Sequence, residues 1–226
     1  MRFLNTTSIT FFVLLYLSMH LQAYTPVDHF TVSCGTTGKS SDGERTWTGD
    51  EDTTYLSRPD GTVSAKATTQ ARSANQVPFT TARLSRSQFN YSFPVTAGPK
   101  FLRLFFYPAN YPSFSRNDAS FTFQSNEFSF LNSFNASLNA DAENTETIFR
   151  EYVVHVNDGE RLNLSFTPQP NSYAFVNGIE ILSMPSNLYY PSANEMGLIF
   201  VDPSSALEME YRINVGGKEI SARNDT

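Results

Sequence analysis

One cysteine, three histidines and no block of lysine or arginine set the first limits on this chain. Cys34 stands alone, so no intrachain disulfide forms, and an extracellular domain built from this sequence rests on its hydrophobic core. The thiol is read as a small buried hydrophobe rather than a reactive group. His20 lies in the N-terminal apolar stretch, which leaves only His29 and His155, too few for a histidine-based metal site. Sixteen Lys and Arg face 22 Asp and Glu, a formal net charge of −6. That balance excludes nucleic acid and anionic membrane as natural partners. Beyond the N-terminus no apolar run is long enough to span a bilayer. Helical periodicity of convincing length is also missing, apart from a short candidate at Ala206–Glu210.

Aromatic residues, by contrast, are plentiful. There are 20 Phe and 11 Tyr, and flat rings suit pleated, half-buried surfaces. The first residues read as a secretory signal: Arg2, an apolar stretch from Ile9 to Leu17, and Leu21-Gln22-Ala23 before a cut that leaves Tyr24 first. Residues 1–23 are therefore set apart, and a secreted or cell-surface product is expected. Four sequons agree with it, at Asn90, Asn135, Asn163 and Asn224. Asn90 and Asn163 fall in strand-like runs, so their side chains must face solvent to carry sugar.

Strand signals recur along the chain. Phe30–Ser33 is a short strand, followed by a Gly-, Ser- and Asp-rich loop to about Asp52. Residues 57–78 are expected to be long loops around one strand near Thr62–Ala67. Phe89–Phe93 alternates apolar and polar, and Lys100–Tyr107 is a doubly buried strand apart from Arg103. Phe121–Phe123 and Phe128–Phe130 alternate again. Tyr152–Val156 and Leu162–Phe166 flank Asn157-Asp158-Gly159-Glu160, which predicts a hairpin. Tyr173–Pro185 predicts two strands joined by a tight Asn177-Gly178 turn, with Phe175 and Ile179 in the core. Many short strands with turn signals between them give an all-β fold, a jelly-roll sandwich of antiparallel strands. Residues 24–187 are assigned to that sandwich and 188–226 to a linker and the start of a second, incomplete β domain.

Chemical constellations are sparse. Gly35–Ser40 lacks the four-residue spacing that lets backbone N–H groups converge on phosphate. Asp42, Glu44, Asp50, Glu51 and Asp52 form an acidic loop. It offers a carboxylate pair for a glycosidase, which needs roughly 5–9.5 Å between the groups, but a solvated loop is the plainer reading. No catalytic residue, metal or cofactor is assigned. One loop combines aromatic rings with polar partners: Tyr107, Tyr111, Arg116 and Asp118. Exposed rings against the apolar faces of a sugar, with Arg and Asp on its hydroxyls, make these four the ligand-binding candidates; core packing is the competing role for each ring.

An ordered set of short motifs then identifies a family resemblance. Val32-Ser33-Cys34-Gly35, Arg45–Asp50, Val77–Arg83, Tyr91–Val95, Lys100–Pro108, Tyr173–Pro185 and Ala206–Glu208 with Tyr211–Gly217 follow one another as in plant malectin-like receptor kinases of the FERONIA type. The resemblance implies tandem malectin-like β-sandwiches, of which this chain holds the first and the beginning of the second, without the family's membrane span or kinase. It implies secreted cysteine-rich signalling peptides and a lipid-anchored co-receptor as partners, with pectin of the cell wall as a further ligand.

The function expected is therefore a non-enzymatic extracellular recognition module of a plant receptor. The alternatives are a secreted decoy of such a receptor and, behind it, a wall-polysaccharide hydrolase using the acidic loop.

Overall fold

A computed structural model describes residues 24–43, 45–57, 60–72, 75–190, 201–211 and 215–217. The signal segment, Glu44 of the acidic loop and Asn224 lie outside the described residues. The chain forms β1 (His29–Ser33), β2 (Lys39–Ser41), β3 (Thr46–Gly49), β4 (Leu56–Ser57), β5 (Val63–Lys66), β6 (Thr81–Ser85), β7 (Phe89–Phe93) and β8 (Gly98–Phe106). It continues through β9 (Phe121–Ser125), β10 (Phe128–Phe134), helix α1 (Ala136–Glu143), β11 (Ile148–Val156), β12 (Leu162–Pro168), β13 (Ala174–Val176), β14 (Gly178–Ser183) and β15 (Leu207–Glu208).

Sheet A runs β15-β11-β8-β14-β1-β3-β2, and sheet B runs β10-β9-β12-β7-β4. A small third sheet runs β13-β6-β5. Pairing is antiparallel except between β1 and β3. Strand alternation explains the two-layer packing. In β8, Leu102, Leu104 and Phe106 point inward and are fully buried. Phe106 meets Phe121 and Phe134 of sheet B, and Tyr152 of β11 meets Phe123 and Phe130. In β7 the alternation is complete: Phe89, Tyr91 and Phe93 are buried, Asn90 and Ser92 are not. The all-β antiparallel sandwich is thus present, its core made of the Phe and Tyr that dominate the composition.

Several local expectations are corrected. β11 and β12 do not form a hairpin: β11 joins β8 and β12 joins β7 and β9, so Asn157–Arg161 arches from one sheet to the other. The Gly-rich segment before Asp52 is not simply loop, since it holds β2 and β3. Ala206–Glu210 is no helix; Leu207 and Glu208 pair with Val153 and Tyr152 and extend sheet A. Helix α1 was not anticipated. Its entry is set by Asn135, whose side chain accepts from Leu138 N, and its exit by Asn144 in the left-handed conformation. No helix among the described residues is long and apolar enough to cross a membrane.

Candidate recognition site

Asn177 is where the structure departs furthest from a turn. β13 pairs with β6, whereas β14 pairs with β8 and β1. The chain passes from one sheet to another at Asn177 without reversing, and the residue is fully buried. Its Oδ1 accepts from Tyr107 N at 2.7 Å. Its Nδ2 donates to Thr81 O at 2.7 Å, to the Tyr111 hydroxyl at 2.9 Å and, more weakly, to Phe79 O at 3.3 Å. An amide suits this place because it supplies donor and acceptor at once. Gly178 follows because a β-carbon there would lie 2.6 Å from Pro78 Cγ and 3.2 Å from Trp47 Cζ3.

That hub fixes the loop carrying the ligand-binding candidates. Tyr107 and Tyr111 are 7% and 3% exposed, so neither ring presents an open face to a sugar. The Tyr111 hydroxyl donates to Tyr107 O at 2.9 Å, and burial pushes its pKa well above the ordinary phenol value. Arg116 Nε donates to Pro108 O and its Nη2 pairs with Asp141 of α1 at 2.8 Å. Asp118 ends a short 3₁₀ turn and is exposed. The structure therefore brings the four together in one loop but splits them: two buried rings support it from below, and Arg116 and Asp118 form its polar rim.

The acidic loop proves to be a structural clamp. Asp50 is fully buried. Its Oδ1 accepts from Arg83 Nη2 and Gly35 N, both at 2.8 Å, and its Oδ2 accepts from Arg83 Nε at 3.0 Å and the Tyr91 hydroxyl at 2.7 Å. Arg83 also pairs with Glu51 at 2.7 Å. Asp52 accepts from Gly38 N. The amides of the Gly35–Gly38 loop thus face the protein's own carboxylates, and Asp50 is saturated and sealed from solvent. It has no room for the acid–base work of a glycosidase. Cys34 packs beside this clamp, fully buried, and burial raises its pKa. No group of three or more His, Cys, Asp or Glu able to hold a metal occurs among the described residues.

Two features were missed from sequence. The first is a charged row on the outer face of sheet A: Arg45 pairs with Glu180 at 3.0 Å, Glu180 with Arg103 at 2.9 Å, and Arg103 with Glu151 at 2.5 Å. Arg103 and Glu180 are each 2% exposed, so a charge set inside each of these apolar strands was the available signal. A buried arginine demands a carboxylate, and the two occupy paired positions of β8 and β14. The second is a cleft of about 520 Å³ at the β11–β15 edge. Glu143, Arg150, Glu151, Glu208, Glu210 and Tyr211 line it.

The sequons are also placed. Asn163 is exposed and Asn90 half-buried, both on the solvent side of sheet B. Asn135 caps α1.

Comparison with known proteins places this architecture. The malectin-like domain family matches residues 32–226. The receptor-like protein kinase FERONIA of Arabidopsis thaliana is 38% identical over 215 residues, which are 90% of this chain and 24% of that protein. The crystal structure of the plant receptor-like kinase FER superposes with a TM-score of 0.77 at 38% identity, covering 88% of this chain and 52% of that one. FER in complex with the plant peptide RALF23 and LLG2 matches equally, with a TM-score of 0.77 and 51% of that chain covered. The extracellular domain of ANXUR2 from A. thaliana gives 0.76 at 31% identity over 85% of this chain and 51% of that one. The chain spans about a quarter of the curated receptors and about half of the crystallised ectodomains, and the kinase portion of those receptors is not covered. By its motifs, its sandwich and these matches, the chain belongs to the malectin-like family of plant receptor kinase ectodomains.

Proposed function

We propose that this chain is a non-enzymatic recognition module on the extracellular side of a plant receptor, and that its partners are a secreted cysteine-rich peptide and a lipid-anchored co-receptor. The observation that carries this reading is the FER ectodomain, 38% identical, crystallised together with RALF23 and LLG2. The acidic loop supports it from the other side, because its central carboxylate is committed to Arg83 and Tyr91. Residues 24–187 make up the body of the recognition sandwich, and Leu207–Glu208 add an edge strand to its sheet A. Within the Tyr107–Asp118 loop, Arg116 and Asp118 make the ligand contacts, while Tyr107 and Tyr111 hold the loop in shape. Pectin takes second place as a ligand, since those two rings have no open face for stacking.

Isothermal titration of the folded protein against RALF23, LLG2, both together and pectin fragments tests the reading. Saturable heat with the peptide or with the peptide–co-receptor pair is expected. Heat with none of them, or release of reducing sugar from wall polysaccharide, would overturn it.

A further inference from the structure

Two sequons distant in sequence meet on one face of the fold. Asn90-Tyr91-Ser92 lies in β7 and Asn163-Leu164-Ser165 in β12, which are antiparallel neighbours. The register sets Asn163 opposite Ser92 and Ser165 opposite Asn90. Each acceptor asparagine therefore faces the hydroxyl of the other sequon. Ser92 Oγ donates to Asn163 Oδ1 at 2.7 Å, while Asn163 Nδ2 makes only a long contact of 3.3 Å with Arg161 O. The central residues, Tyr91 and Leu164, are fully buried, so alternation turns both asparagines outward. Such diagonal neighbours stand about 7–8 Å apart.

The surroundings suit sugar. Thr122 and Gln124 of β9 continue the same face, and Gln124 pairs with Ser165. These side chains are polar and uncharged. Arg161 at the margin is held by Ser92 Oγ at 2.8 Å and Ser92 O at 2.7 Å. A hydrated oligosaccharide over this face covers no large apolar side chain and displaces no buried ion pair. Asn135 differs: its Oδ1 caps α1 and accepts from Ser137 Oγ, and Ser137 is 2% exposed.

We propose that Asn90 and Asn163 both carry N-linked oligosaccharides and that the two make one glycan patch over the outer face of sheet B, leaving protein partners to other surfaces. The proposal rests on the extracellular reading above. The donor is a lipid-pyrophosphate-linked oligosaccharide. A bond forms from asparagine Nδ2 to the anomeric carbon, the anomeric C–O bond to pyrophosphate breaks, Nδ2 gives up one proton and the lipid pyrophosphate leaves. Transfer to the extended chain precedes folding, so each site is modified independently, and pairing of β7 with β12 then sets the two sugars side by side.

The test expresses the full chain in plant cells and reads glycopeptides by mass spectrometry, from medium and lysate, for wild type, Asn90→Gln, Asn163→Gln and the double variant. Each single change is expected to remove one glycan mass and the double change two. Protein in the medium with either asparagine bare would overturn the proposal while leaving the extracellular reading intact. Protein retained in the cytosol with every sequon bare would overturn both. Shielding has its own readout: Gln124→Cys should react with a bulky maleimide severalfold more slowly in the glycosylated background than in the double variant. Cys34 is fully buried and stays silent. Equal rates would refute the patch.

Discussion

Asp50→Asn would remove the charge that Arg83 meets at 2.8 Å and weaken the acceptor that holds Tyr91. Breaking a buried ion pair from one side costs about 3–5 kcal/mol, because the surviving charge keeps its desolvation penalty. Glu51, with its side chain 24% exposed, offsets only part of that loss. Trp47 is the sole tryptophan, fully buried in β3 close to Asp50, so urea unfolding followed by its fluorescence measures the change. A shift under about 1 kcal/mol, the value of a surface pair, would contradict the clamp. Phenols provide a second residue-scale test. Burial raises the pKa of Tyr91, Tyr111, Tyr152 and Tyr173. Unfolded tyrosine ionises near about 10, so above that pH the unfolded chain holds fewer protons than the native one. Stability should be intact below that pH and fall as pH rises through it. The phenolate absorbance of these four should then appear only with the loss of Trp47 fluorescence; ionisation of every tyrosine in the folded protein would contradict the burial. At this scale the sequence was only half legible. Phe175 and Ile179 are core as expected, but Asn177-Gly178 carries the same letters as a turn while serving as a buried junction. Only the partners, Tyr107, Thr81 and Tyr111, distinguish the two roles, and they are far away in sequence.

Elements show where local pattern runs out. Alternation located β7, β11 and β12, and a continuous apolar run located β8, because both patterns are set by one strand alone. Which strands pair is set by the opposite sheet, so the arch at Asn157–Arg161 looked like a hairpin. Gly178→Ala tests the junction between β13 and β14. The added methyl meets Pro78 and the Trp47 ring, and overpacking of this kind costs about 1–3 kcal/mol. An unchanged urea midpoint would show that Pro78 yields freely. The attachment of β15 to β11 carries a pH dependence. Glu208 is shifted upward by burial and then by Glu210, with Arg150 opposing. A raised carboxyl means the docked strand binds more protons than the detached one, so docking strengthens as pH falls toward the ordinary carboxylate range, about 4.3, and weakens above the shifted value. The Met209 amide, bonded to Glu151 O at 2.9 Å, reports it by hydrogen exchange. Near neutral pH, Glu208→Gln should protect that amide better than wild type. At about pH 4 the difference should shrink. Equal protection at neutral pH would contradict the assignment.

At the scale of the whole molecule, the all-β class was legible from Phe content and strand spacing, and the family from motif order. The division of surfaces was not, since it depends on which strands lie together. Sheet A turns the β11–β15 cleft outward, sheet B a polar face with two sequons, and the Tyr107–Asp118 loop a rim of Arg116 and Asp118. A recognition module needs such separate faces. The most direct test is biolayer interferometry of immobilised, folded protein against RALF23 with and without LLG2, with the buried Trp47 emission confirming the fold. Saturable binding, tighter when peptide and co-receptor are both present and weakened by Arg116→Ala with Asp118→Ala, is the predicted result. No binding by folded protein to either partner or to the pair would contradict the account.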